Sequence, residues 1–228
     1  MHARSDLCDA PGRGALGTAP RAIAAPFRSR LVVMAKAPVA GRAKTRLARE
    51  VGLSRALTFA RAGGLASIRR LSRDPRWECT LAVTPDAAVH VPVWPRGVRI
   101  VAQGHGNLGV RMQRIFDAMP PGPVLIVGTD IPRIAPRHVA HAFRLLAAHD
   151  AVLGPAGDGG YWLVGLNRRP GRRAPFANVR WSSPHALADT LANLEGCRVA
   201  RADGLEDVDD AESLRRNADA AGRVVIGN

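Results

Sequence analysis

Lysine is nearly absent from this chain. Of its 33 basic residues only Lys36 and Lys44 are lysines, and both fall in one window, Met34–Leu47, which holds four of the 33. If the two cations were interchangeable, that coincidence would arise about once in a hundred times. They are not interchangeable: lysine is a compact point charge on a flexible stem, arginine a rigid planar fork. A site that grips phosphate with an ammonium group resists replacement by arginine, although codon bias alone would also leave few lysines. Tyrosine is rarer still. The single one, Tyr161, ends Gly154-Pro-Ala-Gly-Asp-Gly-Gly-Tyr161. The residue types the chain avoids are thus gathered in two short segments.

Other scarcities exclude whole classes. Three cysteines, Cys8, Cys79 and Cys197, are odd in number, far apart and without ligand spacing. Neither a disulfide framework nor a zinc site follows, and a reducing cytoplasm fits best. No apolar run approaches the roughly 20 residues of a membrane span. Aromatic residues make up only 4%, poor material for stacking on single-stranded nucleic acid. Acidic residues number 19 against 33 basic ones, a net charge of +14. The arginines are spread along the chain rather than gathered on one helix, so phosphate-bearing small substrates explain the charge better than a nucleic-acid groove. Residues 1–30, rich in Ala, Pro, Gly and Arg and without an apolar h-region, read as a disordered tail ahead of one domain over 31–228.

The remainder has the pattern of an α/β layer fold. Short apolar runs predict strands at Leu31–Ala35, Cys79–Val83, Val98–Ala102, Val124–Val127, Ala151–Leu153, Tyr161–Leu166 and Cys197–Ala200. Several are apolar throughout, as in strands covered on both faces. Between them, apolar residues recur every three or four positions over 57–71, 108–119, 139–146 and 187–194, the spacing of amphipathic helices. Pro136 suits a first helical turn, and Ser183-Pro184 reads as cap and first turn of the last of these.

Four segments carry candidate chemistry. In Lys36-x-Pro-x-x-Gly41-x-x-Lys44-Thr-Arg46 a strand runs into a turn and then a helix, where an open α/β sheet binds ligands. Gly41 lets the backbone approach, and Lys36, Lys44 and Arg46 supply cations for a polyphosphate, unless this is simply a solvated basic turn. The glycine spacing is not that of a P-loop. In Val124-Leu-Ile-Val-Gly-Thr-Asp130-Ile-Pro132 an apolar strand delivers Asp130 to its tip, a place for a hard divalent ion shared with phosphate oxygens, or for a plain turn aspartate. In the Tyr161 segment, Asp158 is flanked by Gly157, Gly159 and Gly160; it suits an acceptor or metal contact, or the cap of a Gly-rich hairpin. In Leu205-Glu-Asp207-Val-Asp209-Asp-Ala-Glu212, Asp209 and Glu212 have capping-box spacing. Asp207 is the freer metal candidate, and Asp209 the weaker one.

Read in order, these segments join Gln103-Gly-x-x-x-Leu108-Gly-x-Arg111-Met112 and Trp181-Ser-Ser into a set. The set resembles the small GT-A-like transferases called rSAM/selenodomain-associated, or arsenosugar-biosynthesis-type, glycosyltransferases, over about residues 31–215. More distantly, the first two segments are similar to 2-phospholactate and molybdenum-cofactor guanylyltransferases. The resemblance implies a nucleotide-diphospho-sugar-transferase fold, a Rossmann-like three-layer sandwich around a mostly parallel mixed sheet. It implies a transferase that uses Mg²⁺ or Mn²⁺ on Asp130, to which the residue reading adds Asp207 as a second candidate, with a nucleotide-sugar, or alternatively a nucleoside triphosphate, and a small-molecule acceptor. Lys36, Gly41, Lys44, Arg46, Gln103 and Arg111 would face the nucleotide. Asp158, Gly159, Gly160, Tyr161 and Trp181 would face the acceptor, and Asp130, Asp158 and Lys44 would carry the catalysis. A nucleotide-binding regulator on the same fold is the non-enzymatic alternative. Two departures stand out: Asp130-Ile-Pro132 replaces the Asp-x-Asp of sugar transferases, and Ser183 replaces the usual threonine.

Overall fold

The computed structural model describes residues 28–37, 52–129, 131, 134–168 and 174–205. In chain order these form β1 (Arg30–Lys36), α1 (Leu53–Ser72), β2 (Glu78–Thr84), a 3-10 turn (Asp86–His90), β3 (Arg99–Ala102), α2 (Leu108–Ala118) and β4 (Gly122–Gly128). Then follow α3 (Pro136–Ala148), β5 (Ala151–Pro155), β6 (Tyr161–Arg168), α4 (Ala186–Asn193) and β7 (Val199–Arg201). All seven strands join one sheet in the order β3-β2-β1-β4-β6-β5-β7. Only β6 is antiparallel to its neighbours; the remaining pairs are parallel.

The alternation of side chains along the strands sorts the core into two layers. Leu31, Val33, Leu81, Leu125, Val127 and Leu163 pack under α1 and α3, where Ile68, Leu71, Val139 and Leu146 meet them. Val32, Ala82, Val124, Ile126, Leu153 and Val164 face the other way, against Met112, Ile115 and Phe116 of α2 and the Leu187, Leu191 and Leu194 stripe of α4. Both faces being covered, β1 is apolar from Leu31 to Ala35 and β4 throughout, with polar residues mostly at the strand ends. Leu125 is fully buried, and its truncation to alanine would cost about 2–5 kcal/mol.

Ser183-Pro184 does not start α4, which begins at Ala186. The Ser183 hydroxyl donates to the Arg180 carbonyl at 2.6 Å and accepts the His185 N–H at 3.2 Å, so it closes the turn before the helix. Pro136 does open α3. The capping box proposed for Asp209 lies outside the described residues.

This topology fixes where a ligand can enter. The chain moves outward from β1 through β2 to β3, then returns to lay β4 on the opposite side of β1. Connections after β1 and β4 therefore leave in opposite directions and open a crevice at the strands' carboxyl ends.

Candidate functional site

A cavity of about 470 Å³ occupies that crevice. Its floor is the end of β1, from Met34 to Lys36, and the end of β4, from Ile126 to Gly128, with Thr129 beyond. Thr84 from β2, Leu108, Arg111 and Met112 from α2, the β5–β6 hairpin, and residues 181–183 complete the lining. Gly128 has open space where a Cβ would stand, so no side chain from this position narrows the floor.

The first built feature is a buried hydrogen-bond node under Arg111. Gln103 follows β3 and is only 3% exposed. Its Nε2 donates to the Ala82 carbonyl at 2.9 Å and the Ala35 carbonyl at 3.2 Å, tying the ends of β2 and β1 together. Its Oε1 accepts Arg111 Nη1 at 2.9 Å. The Arg111 Nε reaches the Asn107 carbonyl at 3.4 Å; Nη2 has no partner among the described residues. The guanidinium is held from behind by neutral groups, so its positive charge stays uncompensated by any carboxylate in these contacts. A planar fork fixed in this way is suited to phosphate oxygens. Lys36, at the last position of β1, adds a second cation to the same lining.

The second feature is the β5–β6 hairpin. Asp158 sits at its exposed tip, where Oδ1 accepts the Gly160 N–H at 2.9 Å. That bond realises the hairpin cap considered from sequence, and Oδ2 makes no hydrogen bond among the described residues. Tyr161 begins β6, with its Oη 3.3 Å from Thr190 Oγ1. Burial pushes the phenol above its ordinary range, and the Thr190 hydrogen bond opposes this more weakly. Tyr161 therefore stays protonated near neutral pH and serves as a hydrogen-bonding group, not as a base.

The third feature is the wall formed by residues 176–185. Trp181 meets Tyr161 edge-on, with ring centroids 6.3 Å apart and an interplanar angle of 71°. Two glycines seat this wall. A Cβ at Gly109 on α2 would stand 2.7 Å from Trp181 Cζ2 and 3.0 Å from the Phe176 carbonyl oxygen. A Cβ at Gly159, where φ is +82°, would strike the backbone of Pro184. Behind the wall, Asp189 of α4 takes the Arg180 N–H at 2.9 Å, Nε at 3.0 Å and Nη2 at 2.8 Å. The Arg180 hydrogen bonds hold the Asp189 carboxyl down to about 2.

Of the residues singled out from sequence, the cavity lining brings together Lys36, Gln103, Arg111, Asp158, Gly160, Tyr161 and Trp181. Gly159 is not among the lining residues; it packs against Pro184 of the wall. Gly41, Lys44, Arg46, Asp130, Asp207 and Asp209 lie outside the described residues. Among those described, no group of three or more metal-ligating side chains occurs, and no helix is long and apolar enough to cross a membrane. Sequence reasoning gave no site role to Thr84, Thr129 or Ser182, and it placed Leu108 and Met112 in the Gln103 motif and a helix stripe without one. A signal existed for the two threonines: Thr84 ends β2 and Thr129 directly follows the apolar β4.

The fold is that of nucleotide-diphospho-sugar transferases. A Desulfovibrio desulfuricans G20 protein, provisionally named a nucleotide-diphospho-sugar transferase, superposes with a TM-score of 0.75 at 28% identity over 86% of this chain and 90% of its own. At 10% identity, 4-diphosphocytidyl-2C-methyl-D-erythritol synthase from Anaerococcus prevotii superposes with a TM-score of 0.53 over 85% of this chain and 98% of its own. CMP:2-keto-3-deoxy-manno-octonic acid synthetase, solved with CTP, gives 0.52 at 13% identity over 86% and 99%. The latter two likenesses concern the fold alone. No curated protein matches the chain. The bacterial family described as "Uncharacterized protein conserved in bacteria (DUF2064)" matches residues 67–183, more than half of the 228, and the chain belongs to that family.

Proposed function

We propose that this protein is a transferase that moves a sugar from a nucleotide-diphospho-sugar to a small hydroxyl-bearing acceptor. The observation that carries the reading is the composition of one cavity. Cations from β1 and α2 share its lining with a carboxylate, a phenol and an indole from the hairpin and the 176–185 wall. The name given to the 28%-identical Desulfovibrio protein supports the same class.

Arg111 and Lys36 hold the diphosphate, and Gln103 sets the angle of the Arg111 fork. The glycosyl carbon–oxygen bond to the diphosphate breaks as the acceptor oxygen bonds to the same carbon. Charge growing on the leaving diphosphate falls on cations already positioned for it, which avoids reorganisation during the reaction. The acceptor's proton goes to Asp158, whose Oδ2 is the oxygen not engaged by Gly160. A divalent ion would be held by Asp130, with Asp207 as the second candidate, and would neutralise diphosphate charge. Lys44 and Arg46 extend the cation set.

Nucleotidyl transfer, with release of pyrophosphate from a triphosphate, is the second reading. It is favoured by Asp130-Ile-Pro132 in place of Asp-x-Asp. Incubating the protein and Mg²⁺ or Mn²⁺ with a panel of nucleotide-sugars and nucleoside triphosphates separates the two, because only the leaving group differs. Slow release of nucleoside diphosphate from a nucleotide-sugar is expected even with water as acceptor. Pyrophosphate from a triphosphate, with no diphosphate from any nucleotide-sugar, would replace the first reading by the second.

A further inference from the structure

Ser182 lines the cavity at an exposed position, with φ at +57°. A non-glycine residue in the left-handed region is strained, because its Cβ crowds the following carbonyl. This chain normally avoids that strain: at seven other described positions with positive φ it places glycine. The two exceptions are Asn178 and Ser182. Asparagine is enriched in this region through local hydrogen bonds of its amide, and serine lacks that advantage. Glycine at 182 would be the less strained residue.

Its surroundings leave the backbone little choice. Trp181 on one side lies over Gly109, Pro184 on the other is pressed onto Gly159, and Arg180 is clamped to Asp189. The neighbouring Ser183 hydroxyl is consumed by the turn, donating to Arg180 and accepting from His185. The Ser182 hydroxyl has no hydrogen bond among the described residues. Both serines line the cavity, together with Trp181 and Asp158; the Ser183 hydroxyl is taken up by the turn, which leaves that of Ser182 as the uncommitted one.

We infer that Ser182 is an acceptor-binding residue whose hydroxyl is kept despite the strain. Its ligand is a neutral, hydroxyl-bearing molecule with an apolar face, of the polyol or glycoside class. The C–H face of such a ligand lies on Trp181, while Ser182 and Asp158 meet its hydroxyl groups. Naming this ligand the acceptor rests on the transferase reading above.

The test uses the full chain with glycerol and methyl α-glucoside as probes, read through the indole N–H resonance of Trp181, which the Trp181→Phe variant identifies. Titration should shift that resonance in the wild type. Ser182→Ala and Ser182→Gly should weaken the probe by about three- to tenfold, the worth of one neutral hydrogen bond. Without probe, Ser182→Gly should raise the melting temperature by about 2–4 °C, by release of strain, and Ser182→Ala should leave it unchanged. Probe affinity equal to wild type in both variants, or no Trp181 shift with either probe, would overturn the assignment. If no nucleotide-sugar is cleaved, yet the probes still shift Trp181 in a Ser182-dependent way, the binding residue stands and the transferase reading fails.

Discussion

The two polar ends of the cavity are built in opposite ways. Gln103 is 3% exposed, and its amide meets two strand-end carbonyls and one guanidinium. Asp158, at an exposed hairpin tip, has one described hydrogen bond, to a backbone N–H two residues away. The Gln103 end is preorganised: Arg111 is oriented before any ligand arrives. The Asp158 end leaves an oxygen uncommitted. A constant group such as a diphosphate rewards the first design, and an acceptor that must be approached, deprotonated and released suits the second.

Substitution should break that contrast most visibly in stability. Gln103→Leu leaves the Ala35 and Ala82 carbonyls and Arg111 Nη1 without their partner, and loss of a buried partner costs about 1–3 kcal/mol for each such group. For three such groups we expect a destabilisation of about 3 kcal/mol or more in urea unfolding, together with weaker nucleotide binding. Asp158→Asn should stay within about 0.5 kcal/mol of wild type, as exposed substitutions do. Equal losses in the two variants would erase the difference between the ends.

The next effect sharpens the phosphate side. Lys44→Arg retains charge but exchanges a point charge for a fork, and should weaken nucleotide binding by about 1.5–3 kcal/mol. Arg70→Lys, away from the cavity lining, serves as the control. Nucleotide affinity like that of the wild type would show that the near-absence of lysine elsewhere carries no functional meaning. Asp130→Asn should abolish the coupling between metal and nucleotide binding in calorimetry, because few protein carboxylates are on offer and phosphate oxygens complete the shell. Identical metal affinity with and without nucleotide in the wild type would remove the metal from the site.

The smallest effect concerns the clamp behind the 176–185 wall. The folded-state Asp189 carboxyl is depressed to about 2 by Arg180, below the unfolded value of about 3.9. Its contribution is fully present above about pH 4 and is lost as the pH falls toward about 2. The pair lies at the surface, so the change should be slight and weakened by salt. Asp189→Asn should flatten the acid limb of Trp181 fluorescence over that window; an unchanged limb would show that the clamp does not steady the wall.

The sheet was legible because strands covered on both faces, such as β1 from Leu31 to Ala35 and β4, read as continuous apolar runs. The single antiparallel strand was not, since β6 and the parallel strands share one composition. Lys36, Arg111, Asp158, Tyr161 and Trp181 could be singled out because scarce residue types and glycines mark their segments. The work of Gln103 could not be read: a polar residue after a short strand resembles surface, and only the three-strand edge beneath it reveals the buried node. Ser182 was hidden for a different reason. Serine has no preference that announces a left-handed backbone, and its neighbours Trp181 and Pro184 pack on Gly109 and Gly159, far away in sequence. Ser183-Pro184 matched a helix start locally, but the pairing of Ser183 with Arg180 uses the hydroxyl one turn too early.

The most direct measurement compares water-dependent and acceptor-dependent cleavage of a nucleotide-sugar in the wild type, Arg111→Ala and Asp158→Asn. Loss of Arg111 should lower both rates together, by about 10- to 100-fold for one charge-assisted phosphate contact. Loss of the Asp158 carboxylate should spare release of diphosphate to water and remove the acceleration by a polyol acceptor. Equal suppression of both rates in both variants, or release of pyrophosphate alone, would contradict the division of the cavity into a fixed diphosphate side and an acceptor side.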